Sequence, residues 1–217
     1  MAFSDEQAMI LDSAQAFCRD KSDGNAVRSL LKSETGFNQD VWDEMVALGW
    51  TGLSIPEQFG GFAMGIGATV PLVESMGRHM LCTPYISATI AAQAIVRGGS
   101  ESQQTKWLPA MVQGTIGTLA LLDNEDWGAT STSCVLTGKD DQLELKGKKL
   151  LVHDASVSDF FLVLAQHDGA EVLVIVESSQ LASNAITCKT LVDETKRAAN
   201  VDFTGVTIQS DAILPSG

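Results

Sequence analysis

Positive charge is scarce in this sequence: fourteen lysines and arginines stand against twenty-seven aspartates and glutamates in 217 residues, a formal net charge of -13. A surface of that sign repels phosphate backbones and anionic membranes at neutral pH, which argues against nucleic-acid binding and membrane attachment. Cysteine and histidine are also few. Cys18, Cys82, Cys134 and Cys188 lie far apart, no Cys-x-x-Cys pair occurs, and no histidine stands at metal-ligand spacing. Neither a disulfide framework nor a metal site is therefore expected, and a reducing cytoplasm suits these thiols. Long apolar runs are missing too, and the opening "MAFSDEQAMI" carries acid where a signal peptide needs base; a soluble, cytoplasmic protein without membrane insertion is expected. What is abundant is apolar residues, 45% of the chain, enough for one large domain or two smaller ones packed together.

The first half has helical periodicity. Ser4 and Gln7 have capping-box spacing, and Ile10, Leu11, Ala14, Phe17 and Cys18 then recur on one face. A second helix is expected over about Asn25 to Lys32, and a third from about Asn38 to a glycine stop at Gly49. The segment "SIPEQFGGFAMG" must turn sharply, because Pro56 fixes φ and Gly60 and Gly61 permit conformations closed to other residues. A helix with Val70, Val73, Met76 and Met80 follows. Pro84 then stands at the first turn of the next helix, which "GG" at Gly98 and Gly99 ends, and Ser100 with Gln103 forms a second capping box before Trp107, Leu108 and Met111.

Beyond Gly114 the pattern changes to short apolar or alternating runs separated by turn residues: "TLALL", "CVLTG", "QLELKG", "KKLLVH", "FFLVLA", "EVLVIV", "AITCKT" and "NVDFTGV". Strands at this spacing indicate a barrel or sandwich. The expectation is an α+β chain, with an all-α helical domain over residues 1–114 and a small β domain over 115–217, the change falling between Gln113 and Thr118.

The stretch "WDEMVALGWTGLSIPEQFGG" resembles the acyl-CoA dehydrogenase family, which has Trp, Leu-Gly-Trp and Pro-Glu-x-x-Gly-Gly in this order; here Trp42, Leu48, Gly49, Trp50, Pro56, Glu57, Gly60 and Gly61 match. "VESMGRHMLCTP", "GGSESQQTKWLPAMVQGTIGTLAL" and "DETKRAANVDFTGVTI" resemble later family segments, so the likeness runs along essentially the whole chain. It implies FAD lying between the β domain and a third, C-terminal helical domain, and an α-proton removed from an acyl-CoA by a glutamate that the third domain usually carries. The chain ends at "AILPSG", where that domain would begin. No catalytic residue is assigned here, and Glu57 and Glu74 are expected to be solvated carboxylates.

The resemblance also places the flavin-facing segments. The family carries Thr-Glu-Pro followed by Gly-Ser-Asp after the first strand; Leu122, Asp123 and Asn124 take the first three places, and Gly128 with Ala129 approximates Gly-Ser if one residue is inserted. At the next strand the family has Gly-x-Lys-x-Trp-Ile-Thr/Ser-Asn. Gly147 and Lys149 match, but Leu151, Val152, His153 and Asp154 follow. A leucine thus replaces the aromatic partner of the ring, forfeiting about 0.5–1.5 kcal/mol, and another replaces a threonine donor, leaving a buried polar edge unpaired at about 1–3 kcal/mol. His153 is either a substitute donor or a strand-end histidine. The resemblance therefore implies a cofactor wall made of Leu122, Asp123, Gly128, Ala129, Leu151, Val152 and His153, and a degenerate one.

Such a wall is expected in one subunit of a homo- or hetero-oligomeric dehydrogenase whose partner carries the C-terminal domain, acting on an acyl-CoA, with a bulky steroid-derived acyl group as one substrate class. A non-catalytic acyl-CoA-binding or scaffold subunit is the alternative. Other features point to less. "DETKR" suggests phosphate contact through Lys196 and Arg197 but has the form of a solvated turn. "GGSES" lacks the Lys-Ser/Thr of a phosphate loop. Ser131, Thr132 and Ser133 have no histidine nearby in sequence to activate a hydroxyl.

Overall fold

The computed structural model describes residues 4–124, 132–139 and 142–215. Among these residues six α-helices come first: α1 (Asp5–Lys21), α2 (Gly24–Leu31), α3 (Gln39–Ala47), α4 (Val70–His79), α5 (Tyr85–Gly98) and α6 (Glu101–Val112). Nine described strands follow: β1 (Gly117–Ala120), β2 (Val135–Lys139), β3 (Gln142–Lys146), β4 (Lys148–His153), β5 (Phe160–His167), β6 (Ala170–Glu177), β7 (Ile186–Lys189), β8 (Ala198–Asp202) and β9 (Val206–Ile208). The α+β expectation holds: helices precede curled sheets, one mixed, with β1 and β2 parallel to β5, and one antiparallel.

Local chemistry explains the helix ends. Ser4 and Ser100 accept from the backbone of Gln7 and Gln103, whose side chains return the bond to the cap residues, so both expected capping boxes form. α2 begins earlier than its apolar residues suggest because Asp23 Oδ1 accepts from the N–H groups of Asn25 and Ala26. Gly49, with φ of 75°, ends α3 in the left-handed conformation that glycine adopts without strain.

One sheet runs β1-β5-β2-β3-β9 with β6 also on β5; the other runs β4-β8-β7. β5 joins the two halves of the chain. Phe161, Val163 and Ala165 enter the core between the sheets with Leu145, Val201 and Phe203. Phe160 and Leu162 point the other way, against α5 and α6, where the Phe160 ring lies 4.4 Å from that of Trp107. Burial on both faces explains why "FFLVLA" is an unbroken apolar run rather than an alternating one. The run "NVDFTGV" is not one strand: Asp202 Oδ1 accepts from the N–H of Thr204, Gly205 takes φ of 87°, and the chain turns from β8 into β9.

Candidate functional site

Between α5, the end of β1 and the bulged middle of β4 lies an apolar cleft of about 600 Å³. From α5, Ile86 and Ile90 reach it one helical turn apart, and Leu121 and Leu122 follow β1 into its wall. These side chains remain open to solvent: Ile86 is 41% exposed, Ile90 48% and Leu121 42%.

The opposite wall depends on a break in strand alternation. The β4–β8 register shifts between Lys149 and Val152, and Leu151 takes φ of 49°, a strained value for a side chain of its size. The bulge sends both Leu150 and Leu151 to the cleft, where strict alternation would send one, while Val152 returns to the inter-sheet core at 1% exposure. Leu150 N–H donates to Leu122 O at 2.7 Å, joining the two leucine-bearing segments.

Of the residues expected at a cofactor wall, Leu122, Leu151 and His153 thus meet in this cleft. Val152 faces the core instead. Asp123 turns inward to Lys149, whose ammonium lies 2.6 Å from its Oδ1, 2.8 Å from Thr132 Oγ1 and 3.1 Å from Leu121 O. Burial opposes ionisation of Asp123, but hydrogen bonds from Lys149, Thr132 and the Ser133 N–H outweigh it and hold the carboxyl below its ordinary range. Gly128 and Ala129, like Trp127 and Ser131, lie outside the described residues. Glu57 and Glu74 are exposed, and Glu74 pairs with Arg78.

The floor of the cleft holds a group that sequence patterns did not single out as functional. Asp154, in the left-handed conformation at φ of 53°, directs Oδ2 to Ser87 of α5, whose hydroxyl donates at 2.6 Å. Burial pushes its carboxyl above the ordinary range, against the Ser87 hydrogen bond and the positive fields of His153, Lys196 and Arg197. No spacing in the sequence announces Ser87, which lies 67 residues away.

Most other donors in the lining are already used. Thr118 donates to His153 O at 2.7 Å and Thr35 to Phe37 O at 3.1 Å. Thr195 donates to Asp193 Oδ1 at 2.6 Å. Arg197, in a run read from sequence as a solvated turn, instead donates through Nη2 to Leu30 O, Leu31 O and Ser33 O at the C-terminus of α2. The Thr83 hydroxyl lacks a partner but is sealed from solvent. His153 and Lys196 remain as exposed donors.

Residues 4–115 match the family model described as acyl-CoA dehydrogenase, N-terminal domain. Among curated relatives, the chain is 29% identical over 150 residues to acyl-CoA dehydrogenase FadE27 of Mycobacterium tuberculosis, a match that covers 69% of this chain and 39% of the relative. It is 26% identical over 170 residues to (2S)-methylsuccinyl-CoA dehydrogenase of Cereibacter sphaeroides, covering 76% and 30%. The chain thus spans well under half the length of these two relatives. Among solved structures, the ChsE4-ChsE5 complex from Mycobacterium tuberculosis superposes with a TM-score of 0.86 at 21% identity, covering 98% of this chain and 57% of that one. A variant of the Tcur3481-Tcur3483 steroid ACAD gives 0.85 at 24%, covering 97% and 57%. At these identities the structural likeness is one of fold.

Proposed function

We propose that this chain, which belongs to the acyl-CoA dehydrogenase family, serves as the acyl-binding, flavin-poor component of an FAD-dependent acyl-CoA dehydrogenase. Its helical part, residues 1–114, and its β part, residues 115–217, act as the two domains that enclose the acyl cleft. A partner subunit supplies the complete flavin site and the proton-abstracting carboxylate.

The observation that carries this reading is the state of the cleft's donors. The pyrimidine edge of an isoalloxazine presents mainly acceptors and needs N–H and O–H groups when buried. Thr35, Thr118, Thr195 and Arg197 have spent theirs on the protein itself. Leucines occupy the wall at 122 and 151. Among the described residues, the part of the wall made by Leu122, Leu151 and His153 offers a flavin one side-chain donor, His153, a poor fit to its acceptor edge, and no step through FAD is assigned to this chain. An apolar acyl group fits the same surface: burying aliphatic area returns roughly 25 cal/mol per Å² and asks for few polar partners. A bulky acyl group, steroid-derived as the name of one solved neighbour suggests, is the substrate class favoured, and a hetero-oligomer is the assembly favoured, since one neighbour is described as a complex. No helix among the described residues is long and apolar enough to cross a membrane; a cytoplasmic location is part of the proposal.

The test is visible absorbance. The chain purified alone is expected to be colourless, and the chain co-purified with a family member carrying the C-terminal domain is expected to hold flavin that bleaches on adding acyl-CoA. Flavin held tightly by the isolated chain overturns the reading. Spent donors equally favour a second reading, a scaffold or acyl-CoA-binding subunit without redox chemistry, which predicts no bleaching in either preparation.

A further inference from the structure

The same inventory of polar groups shows what the cleft lacks. Among the described residues, the Asp154 carboxylate accepts a single hydrogen bond, from Ser87 Oγ, whereas an ionised carboxylate offers about four acceptor positions. It lines the cleft beside Ile86, Leu119 and Leu150. Of the other hydroxyls in the lining, those of Thr35, Thr118 and Thr195 are committed elsewhere and that of Thr83 is sealed from solvent. Among the described side chains the uncommitted exposed donors of the lining are His153 and Lys196, and the Asp154 carboxylate has acceptor capacity to spare at one fixed point.

That point is held firmly. Asp154 N–H donates to Arg197 O at 3.0 Å, and Asp154 O accepts from Val157 N–H and Ser158 Oγ. Ser87 presents its hydroxyl from the buried side of α5. Backbone and side chain are both fixed, so the acceptor is presented to a ligand without further ordering cost. The charged or titratable groups around it are His153 beside it in sequence and Lys196 and Arg197 from the segment ahead of β8; Ser87 faces it from α5.

We propose that Asp154 is a specificity-determining residue that selects apolar acyl groups bearing a hydroxyl, which donates to the free lone pairs of its carboxylate inside the cleft. The inference rests on the reading of the cleft as an acyl site and goes beyond it by naming the functional group recognised. An unsubstituted acyl chain leaves the carboxylate desolvated with one partner; a hydroxylated one supplies the missing donor. Discrimination of this kind is large, because a ligand without the group strands a buried charge.

Calorimetric binding of paired ligands to the full chain tests it. Decanoyl-CoA and cholanoyl-CoA are each compared with sets of singly hydroxylated counterparts, on the native protein and on Asp154→Gly and Asp154→Asn. Glycine takes the left-handed backbone freely, and asparagine keeps an acceptor oxygen without the charge. The native chain is expected to bind at least one hydroxylated ligand roughly tenfold or more tightly than its parent. That ratio falls to about one in Asp154→Gly and to an intermediate value in Asp154→Asn. Equal affinity for parent and hydroxylated ligands in the native chain, or a preference that survives in Asp154→Gly, overturns the assignment and leaves the acyl cleft standing. Failure of every ligand to bind overturns the acyl reading itself and this assignment with it.

Discussion

Lys149 and Asp123 form a buried ion pair, 2.6 Å from Nζ to Oδ1, with side-chain exposures of 0% and 6%. The pair ties β4 to the segment after β1, and through Leu121 O it fixes the main chain that presents Leu122 to the cleft. Removing either partner strands the other charge, so Asp123→Asn and Lys149→Met are each expected to cost about 3–5 kcal/mol in urea unfolding, whereas Asp123→Leu combined with Lys149→Met costs much less. The Asp123 carboxyl is held below its unfolded range. Its stabilisation is therefore complete above the unfolded pKa and is lost as pH falls through the folded one; Asp123→Asn removes that acid-side slope.

Arg197 closes the C-terminus of α2. Its Nη2 meets Leu30 O at 2.8 Å, Ser33 O at 3.1 Å and Leu31 O at 3.2 Å, carbonyls at and just beyond the helix end, of which Leu30 O also accepts from the Ser33 N–H and hydroxyl. Arg197→Ala is expected to cost about 1–3 kcal/mol, and Arg197→Lys recovers little of it because an ammonium lacks the planar fork. Hydrogen exchange checks this: amides of α2 and of residues 32–37 speed up in both variants, while those of β5 do not.

The helical half was legible because its signals are local. Ser4 with Gln7, Ser100 with Gln103, and the stop at Gly49 each lie within a few residues of the bond they make. The β half was legible as strands but not as faces. A bulge at Leu151 put Leu150 and Leu151 on one side, and period-two alternation cannot anticipate an inserted residue. Of the candidate cleft, family segments pointed to Leu122, Leu151 and His153, which line it, while the Lys149–Asp123 pair spans 26 residues and the Ser87–Asp154 bond spans 67. Pairings over that distance leave no periodic trace. Arg197 misled for the converse reason: a mixed-charge run gives no sign that one of its members faces a helix end.

The paired glycines of "FGGF" serve different needs. Gly60 takes φ of 85° with open space where a Cβ would be, so the constraint is conformational; Gly61 has no positive φ, but a Cβ there would collide with Ile55 O and C. Ile55 O is itself engaged by Ala63 N–H at 2.9 Å and cannot withdraw freely. Gly60→Asn, compatible with left-handed backbone, is expected to cost less than about 1 kcal/mol, and Gly61→Ala more than about 2 kcal/mol. Thermal unfolding of the two variants separates them.

Asp154 predicts a pH response opposite in sign to that of Asp123. Burial raises its folded pKa above the unfolded value, so the folded state prefers the neutral acid. Below the unfolded pKa the carboxyl carries no ionisation penalty. As pH rises from there through the folded pKa the penalty grows, and above the folded pKa it is fully present. Asp154→Asn removes the charge, keeps an acceptor for the Ser87 hydroxyl and suits the left-handed backbone. The variant is therefore expected to match the native chain in acid and to be the more stable of the two at neutral pH. A residue whose ionised form costs stability where a neutral isostere fits is better explained by what it binds than by what it supports. Urea titrations of both proteins from about pH 3 to pH 8 decide the point, since curves that stay parallel across that range remove the penalty from Asp154 altogether.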